Sequence, residues 1–269
     1  MRIVEVKAVK DENPNVRTLF FADDLCSSAK AGQFVMVWIP GVDEIPLTLS
    51  SIGSQSMDGF SSVTVAEVGE ATRALKSMET GELIGVRGPF GNHFETISRS
   101  GRALVVGGGI GMASLMPLID RLTMEGVETT VLLGVKSRRD LLFTERLSEL
   151  SSRGGINLLV TTEDGTYGAK GLVTELAENV ISSERFEIIY SCGPEAMMHK
   201  IFKIAEEHRI PAQLSLERII RCAIGICGSC VLGPYRVCKD GPIFTSDQLR
   251  TVRDFGKFKR GFDGRKTPI

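Results

Sequence analysis

Between residues 101 and 208 the chain alternates four times between strand and helix. That rhythm constrains the fold more than any other feature. "RALVVGGG" is an apolar run ending in glycines, and "GMASLMPLIDRLTMEG" follows with its large apolar residues at helical spacing. "VETTVLLGV" with "LLFTERLSELSSR", "INLLVTT" with "LVTELAENVI", and "EIIYSCG" with "PEAMMHKIFKIAEEHR" repeat the pair. Strands that alternate with helices in this way form βαβ units around a parallel sheet.

The first hundred residues differ. "RIVEVKAV" (2–9), "VRTLFFA" (16–22), "QFVMVWI" (33–39), "SSVTVAEV" (61–68) and "LIGVRGP" (83–89) are short candidate strands, several with alternating apolar and polar residues. Gly and Pro clusters punctuate them, and one short helix is expected at 72–78. Many short strands with frequent turns suit a barrel or a sandwich. The last fifty residues show too little apolar periodicity for a core, so something else is expected to order them.

Four of the six cysteines stand in that last segment, as Cys222, Cys227, Cys230 and Cys238. The first three match the plant-type [2Fe–2S] spacing, C-x4-C-x2-C followed by a distant fourth cysteine. Thiolates suit zinc as well. Zinc knuckles, however, typically use two close pairs, and only one is present. Gly225 and Gly228 let backbone N–H groups approach a cluster's sulfides. A [2Fe–2S] cluster is the leading reading, ahead of structural zinc and of a structural or redox thiol group. Cys26 reads as an ordinary packed or partly exposed thiol.

"LVVGGGIGMASLMPL" sets Gly107, Gly108, Gly109 and Gly111 between a strand and a helix. Backbone can approach a pyrophosphate there, and the helix N-terminus favours its negative charge. Ser114 stands where the strict G-x-G-x-x-G pattern has its third glycine. The next strand ends in "LLGVKSRRD", with no acidic residue for a ribose hydroxyl. Arg138 and Arg139 suit a 2′-phosphate instead, which leaves NAD and NADP both open. "SCGPEAMM" (191–198) is a second strand end, with Pro194 expected at the first helical position. Cys192 there either touches a nicotinamide or fills the strand end.

With these residues in view, the chain resembles the ferredoxin–NADP reductase superfamily. Within it, the likeness is to the iron–sulfur flavoproteins that are electron-transfer subunits of dihydroorotate dehydrogenase B. The resemblance spans the whole chain and rests on "GGGIG", "EDGTYGAKG", "CGPEAM" and "CAIGICGSC…VCKDGPIF". It implies a multi-domain β plus α/β fold. An N-terminal antiparallel β-barrel at 1–98 binds FAD, a parallel-sheet α/β domain at 99–212 binds NAD, and a small C-terminal domain at 213–269 holds the [2Fe–2S] cluster. FAD contacts are implied at Ile45, Pro46, Leu47 and Thr48. Ile45 replaces the arginine of the family's Arg-Pro-x-Ser motif and removes the guanidinium expected at the FAD pyrophosphate. Ala71 and Thr72 stand for the family's Gly-Thr before a short helix, and Val65, Ala66 and Glu67 are expected beside the isoalloxazine. The nucleotide site is carried by Gly107, Gly108, Gly109, Gly111, Asp164, Gly165, Cys192, Gly193 and Pro194. Cys222, Cys227, Cys230 and Cys238 hold the metal.

The function so implied is electron transfer in pyrimidine biosynthesis. Electrons pass from a partner FMN-containing dihydroorotate dehydrogenase catalytic subunit through the [2Fe–2S] cluster and FAD to NAD+, in a heterotetramer with two of each chain. The runner-up changes the partner: a flavin subunit of a soluble hydrogenase or of an NADH-dependent ferredoxin:NADP oxidoreductase. A zinc-stabilised nucleotide-sensing module is a reading of a different class. A net charge of -1 gives no basic field for nucleic acid or anionic lipid, so the tail "KFKRGFDGRK" reads as solvated or partner-facing. The opening "MRIVEVKAVKDENPNV" lacks an apolar signal region, and no uncharged apolar run approaches the roughly 20 residues of a membrane span. A cytoplasmic location is expected. His93, His199 and His208 read as surface or interface residues.

Overall fold

The computed structural model of the protein describes residues 1–56, 58–261 and 263–269. Six antiparallel strands close a barrel in the order β1-β2-β5-β4-β3-β6. They are β1 (Arg2–Asn13), β2 (Val16–Phe21), β3 (Phe34–Ile39), β4 (Asp43–Ser51), β5 (Ser61–Ala66) and β6 (Leu83–Phe90). The period of two sorts their side chains. On β3, Val35, Val37 and Ile39 fill the barrel, while Phe34 and Met36 face outward into a core shared with the rest of the chain. The short α1 (Asp24–Ser27) is capped by Asp23, which accepts the Cys26 N–H at 2.9 Å and pairs with Arg2. Cys26 is fully buried there. The helix expected at 72–78 is α2 (Glu70–Lys76).

Periodicity did not mark β4, because "IPGVDEIP" reads as punctuation. Proline lacks the ladder N–H and is tolerated where a strand flank is open. That condition holds here. β4 pairs with β3 from Asp43 to Thr48, but with β5 only at Leu49 and Ser51. Pro46 sits on the stretch with one open flank.

The expected parallel sheet is present and larger than anticipated. Its order is β10-β9-β8-β7-β11-β12-β15. These strands are β7 (Arg102–Gly108), β8 (Glu128–Val135), β9 (Asn157–Thr162), β10 (Ala169–Lys170), β11 (Ile188–Cys192), β12 (Ala212–Ser215) and β15 (Ile243–Thr245). The first six run parallel, and β15 runs antiparallel to β12. The helices are α3 (Met112–Glu125), α4 (Thr144–Ser152), α5 (Val173–Ser183) and α6 (Glu195–His208). One face of the sheet packs Val105, Met112, Leu115 and Leu147; the other packs Leu104, Val106, Ala177 and Ile201. Pro194 is the N-cap of α6 and Glu195 its first residue, one position later than expected.

The C-terminal segment corrects an expectation. Between β12 and β15 lie a hairpin, β13 (Val231–Leu232) with β14 (Tyr235–Arg236), and the single turn α7 (Val237–Asp240). After β15 come α8 (Ser246–Arg250) and an exposed hairpin, β16 (Phe258–Arg260) with β17 (Lys266–Pro268). The segment does have a core. Leu232, Val237, Phe244, Leu249, Val252 and Phe255 are buried in the same cluster as α5 and α6. These contacts come from separate short elements, so no helical or strand period announced them. The basic tail is exposed, as expected, except that Phe262 lies outside the described residues. His199 meets Phe255 edge-on at 5.4 Å, and His93 lies beside Lys30 and Glu95.

A buried ion pair ties this segment to α6. Arg218 donates two hydrogen bonds to the Glu195 carboxylate, at 2.5 and 2.9 Å, and Glu195 also accepts the Gly256 N–H at 3.0 Å. Their side chains are 5% and 11% exposed. Removing one member of such a pair strands a charge, whereas replacing both with apolar groups does not. Arg218→Met should destabilise the protein by about 3–5 kcal/mol. The double variant Arg218→Met/Glu195→Leu should regain most of that loss. Urea unfolding midpoints of the three proteins check this.

Candidate functional site

The glycine-rich turn after β7 lies at the carboxyl edge of the sheet, beside the end of β11. Strand order reverses between these two, and ligands bind in the crevice at such a switch point. Two of the glycines are required by packing. A Cβ at Gly111 would stand 2.5 Å from the Cys192 carbonyl oxygen and 2.6 Å from the Gly193 Cα. A Cβ at Gly108 would meet Met197 at 2.5 Å and Pro194 at 2.9 Å. Gly109 faces open space with φ +51°. The two turns therefore press backbone to backbone and leave Gly109 toward solvent, ahead of the α3 N-terminus. That is the cradle a pyrophosphate needs. Cys192 is half-buried in this crevice, and burial pushes its thiol up to about 11, against the hydroxyls of Ser114 and Ser215. It is a neutral side chain at pH 7.

The other carboxyl ends carry the Asp164 and Arg138 turns. Asp164 accepts the Thr166 N–H at 3.0 Å and its hydroxyl at 2.7 Å, and these bonds hold its carboxyl below the usual range. Gly165 has φ +79° in the same turn. The Arg138 guanidinium lies over the Tyr167 ring at 5.9 Å. A cation and an aromatic face thus sit together at this edge.

The barrel residues expected to hold a flavin separate into two kinds. Ile45 and Leu47 pack against the barrel core, in register with Val37 and Val35. Pro46 and Thr48 pair with Met36 and Phe34, whose side chains face outward. Val65 is buried in the barrel, Ala66 is half-buried, and Glu67 pairs on the surface with Arg73 and Lys76. The Thr72 hydroxyl is already committed. It accepts the N–H groups of Val68 and Gly69, both at 2.9 Å, and donates to the Gly69 carbonyl. Ala71 and Thr72 therefore offer a phosphate only the backbone N–H groups of the first turn of α2, which lack intrahelical acceptors. The open flank of β4 adds main-chain groups beside them. These features fit a flavin held by backbone donors.

Sequence reasoning missed Arg87 on β6. It binds Glu44 through two nitrogens at 2.7 and 2.8 Å and lies over the Phe90 ring at 5.7 Å. Its charge is held by Glu44 first, and Cys222 adds to the same field. An isolated Arg on a strand carries no pattern that would have marked it.

The four cysteines lie on one loop and differ in environment. Ala223, Gly225 and Gly228 take left-handed φ values of 63°, 78° and 71°, which turn main-chain N–H groups toward sulfur. Ile226 and Cys227 donate to Cys222 Sγ at 3.4 and 3.5 Å, and Gly225 donates to Cys238 Sγ at 3.2 Å. The Cys238 N–H points at Cys230 Sγ, 3.4 Å away. Burial would raise the Cys222 thiol, but the surrounding N–H groups outweigh it and bring it down to about 6. Cys227, exposed and beside the Ser229 hydroxyl, is also lowered. Burial, with Cys230 adjacent, pushes Cys238 up to about 12. All six cysteines are free thiols. Among the described residues, no three His, Cys, Asp or Glu side chains converge as ligands of one ion. A [2Fe–2S] cluster divides four thiolates between two irons, so pairs of sulfurs ringed by N–H donors suit it better than a zinc site.

Residues 105–203 match the family described as oxidoreductase NAD-binding domain. Residues 217–250 match the iron-sulfur cluster binding domain of dihydroorotate dehydrogenase B. A protein of Methanocaldococcus jannaschii, "Probable dihydroorotate dehydrogenase B (NAD(+)), electron transfer subunit", is 42% identical over 98% of this chain and 97% of its own length. A protein of the same name from Thermoplasma acidophilum is 40% identical, over 99% and 98%. A solved structure of an NADH-dependent reduced ferredoxin-NADP oxidoreductase, described for its flavin-based electron bifurcation, superposes with a TM-score of 0.81. It is 29% identical, covering 92% of this chain and 90% of that one.

Two substitutions probe the halves of the site separately. Cys230→Ser should abolish the visible and paramagnetic signals of the cluster while bleaching of the flavin by NADH survives, because a hard oxygen ligand suits the cluster poorly. Gly111→Ala forces a methyl onto main-chain atoms that cannot move aside. It should cost about 1–3 kcal/mol of stability and weaken NADH binding, read by thermal unfolding and by titration of the flavin with NADH.

Proposed function

The chain belongs to the family of dihydroorotate dehydrogenase B electron transfer subunits, and on that premise we propose its route of electrons. They arrive from the FMN of a catalytic partner that oxidises dihydroorotate, pass the [2Fe–2S] cluster and FAD, and leave on NAD+. The complex we propose holds two copies of each chain. The working boundaries are 1–98 for FAD, 99–212 for NAD and 213–269 for the cluster, although β12 and β15 join the last two in one sheet.

One observation carries this reading: the three candidate sites adjoin one another. Phe90, at the end of β6, packs against the core that includes Cys230 and Cys238. Helix α3, which begins at the glycine turn, packs on β4. The bound groups supply the change of regime, since a cluster passes single electrons whereas NAD+ takes two with a proton as hydride. The chain's own part is to hold and orient. Backbone donors ring the thiolates, the turn around Gly109 receives the pyrophosphate, and Cys192 forms a neutral wall at the nicotinamide. Ile224 and Ile226 on the cysteine loop are 52% and 79% exposed, and Cys227 is exposed beside them. An apolar patch over a one-electron carrier suits a partner that must approach closely, so we place the catalytic subunit there. Among the described residues no helix is long and apolar enough to cross a membrane.

The likeness to the NADH-dependent ferredoxin-NADP oxidoreductase supports a second reading, in which the same cofactors serve another partner. Partner identity separates the two. The purified chain should be yellow-brown and should oxidise NADH with an artificial acceptor, yet leave dihydroorotate untouched. Addition of a dihydroorotate dehydrogenase catalytic subunit should give dihydroorotate-dependent NAD+ reduction. Dihydroorotate turnover by the lone chain would overturn the division of labour, and a colourless protein that takes up no FAD would overturn the cofactor assignment.

A further inference from the structure

Just past the end of β6 at Phe90, the chain presses against the cysteine segment. Gly91 turns the chain with φ +77°, and a Cβ there would collide with the Gly241 carbonyl oxygen at 2.7 Å and with Pro242 at 2.6 Å. The next residue, Asn92, is half-buried and spends its backbone N–H and both ends of its side-chain amide on one stretch of chain. Its backbone N–H donates to the Gly241 carbonyl at 2.7 Å. Its side-chain NH2 donates to the carbonyls of Asp240 at 3.2 Å and Ile243 at 2.8 Å. Its side-chain oxygen accepts the Ile243 N–H at 2.9 Å. Asp240 stands two residues beyond Cys238, and Ile243 opens β15.

We propose that Asn92 is a positioning residue for electron transfer, which sets the separation between the flavin side of the barrel and the cluster without touching either. The inference rests on the cofactor assignment above. Tunnelling of an electron falls off steeply with distance, so a joint that loosens by a fraction of an ångström slows transfer while leaving both ends intact. The geometry suits such a joint. One side chain grips the chain just after a cluster ligand and just before the sheet's edge strand, and Gln33 steadies the preceding turn by donating to the Gly91 carbonyl at 3.0 Å. Other contacts hold the barrel to the nucleotide-binding part. Tyr190 and Gln213 both donate to the Glu95 carbonyl, and Asn13 donates to the Leu141 carbonyl. Exchange between NADH and the flavin therefore does not depend on Asn92.

The test uses the full chain with its cofactors loaded, as Asn92→Ala and as Asn92→Asp, which keeps the acceptor for Ile243 but sets a carboxylate oxygen against the Asp240 and Ile243 carbonyls. Cofactor content, the cluster's paramagnetic spectrum and its reduction potential are recorded first. Stopped-flow mixing with NADH then resolves flavin bleaching from the later bleaching of the cluster. Hydrogen exchange over residues 240–245 reports the joint itself. Both variants should bind both groups, keep the cluster's spectrum and potential, and bleach flavin at the wild-type rate. Cluster reduction should slow a few-fold in both variants, with faster exchange over 240–245 in both. Cluster reduction at the wild-type rate in both variants overturns the inference. Loss of the cluster in both overturns it too, because Asn92 would then hold the loop's fold rather than its distance. A wild-type chain lacking flavin or cluster defeats the functional reading and this inference together, whereas loaded variants with unchanged transfer defeat this inference alone.

Discussion

Three residues, Ile243–Thr245, pair antiparallel with Gln213–Ser215 at the edge of the parallel sheet, and the cysteine loop is placed by that pairing. The chain leaves the sheet after Ser215 and returns at Ile243, and all four candidate ligands lie on the excursion between. Both ends of the excursion are pinned in one ladder, and the entropic cost of closing such a loop grows only slowly with its length. Phe244 then fills the core from β15, and Tyr235 packs against it at 5.5 Å from beside the hairpin turn. The cluster loop is in this sense an insertion at the edge of the nucleotide-binding sheet, and its position relative to the glycine turn follows from the sheet.

That edge pairing is also where the sequence was least legible. The alternation from β7 to α6 could be read directly, because each element is long enough to show its own period. β12 has four residues and β15 three, and their partnership spans a sequence gap that no local pattern reports. β4 was obscured for a different reason. Its Pro46 looks like a terminator, and only the one-sided pairing of 43–48 shows why a proline fits there. The four cysteines stood out as candidate ligands from spacing alone, since ligand chemistry is written in residue type. Arg87 did not, because its meaning comes from Glu44 on β4, beyond the intervening strand β3, and from the Phe90 ring on its own strand.

The residues read as flavin contacts show how tertiary structure qualifies a motif. Position 45 shares its cross-strand row with Val37 and Val86, both fully buried in the barrel. An isoleucine is therefore a good packing residue there, and its presence has a structural reason apart from any ligand. Thr72, expected as a flavin contact, spends its hydroxyl capping its own helix. Both findings shift the burden of anion binding from side chains to main-chain N–H groups at the start of α2 and along the open flank of β4. The glycines give the converse case. Gly111 was read as making room for a pyrophosphate, and in the structure it makes room for the Cys192–Gly193 backbone. The two roles are compatible, because the tight packing of one turn on the other holds Gly109 out toward the crevice.

The cysteine loop has two chemical faces, and their asymmetry bears on how it works. Cys230 and Cys238 are 2% and 1% exposed within a core that α5 and α6 complete. Cys222 and Cys227 lie outward among N–H donors and a hydroxyl, where their thiolates are favoured. Metal ligands must be deprotonated, so filling the site draws a proton from Cys238, whose thiol is raised by burial, and uses the thiolates already favoured at Cys222 and Cys227. The inner wall of the site is built by ordinary hydrophobic packing, while the outer wall is a turn with left-handed residues and exposed isoleucines. In the proposed complex, metal enters and the redox partner approaches through that same outer wall. The inner wall meets Phe90 and the Asn92 joint, which face the barrel. On that proposal a single loop separates an entrance from an exit for electrons, and the separation arises because one pair of its cysteines belongs to the protein's core and the other does not.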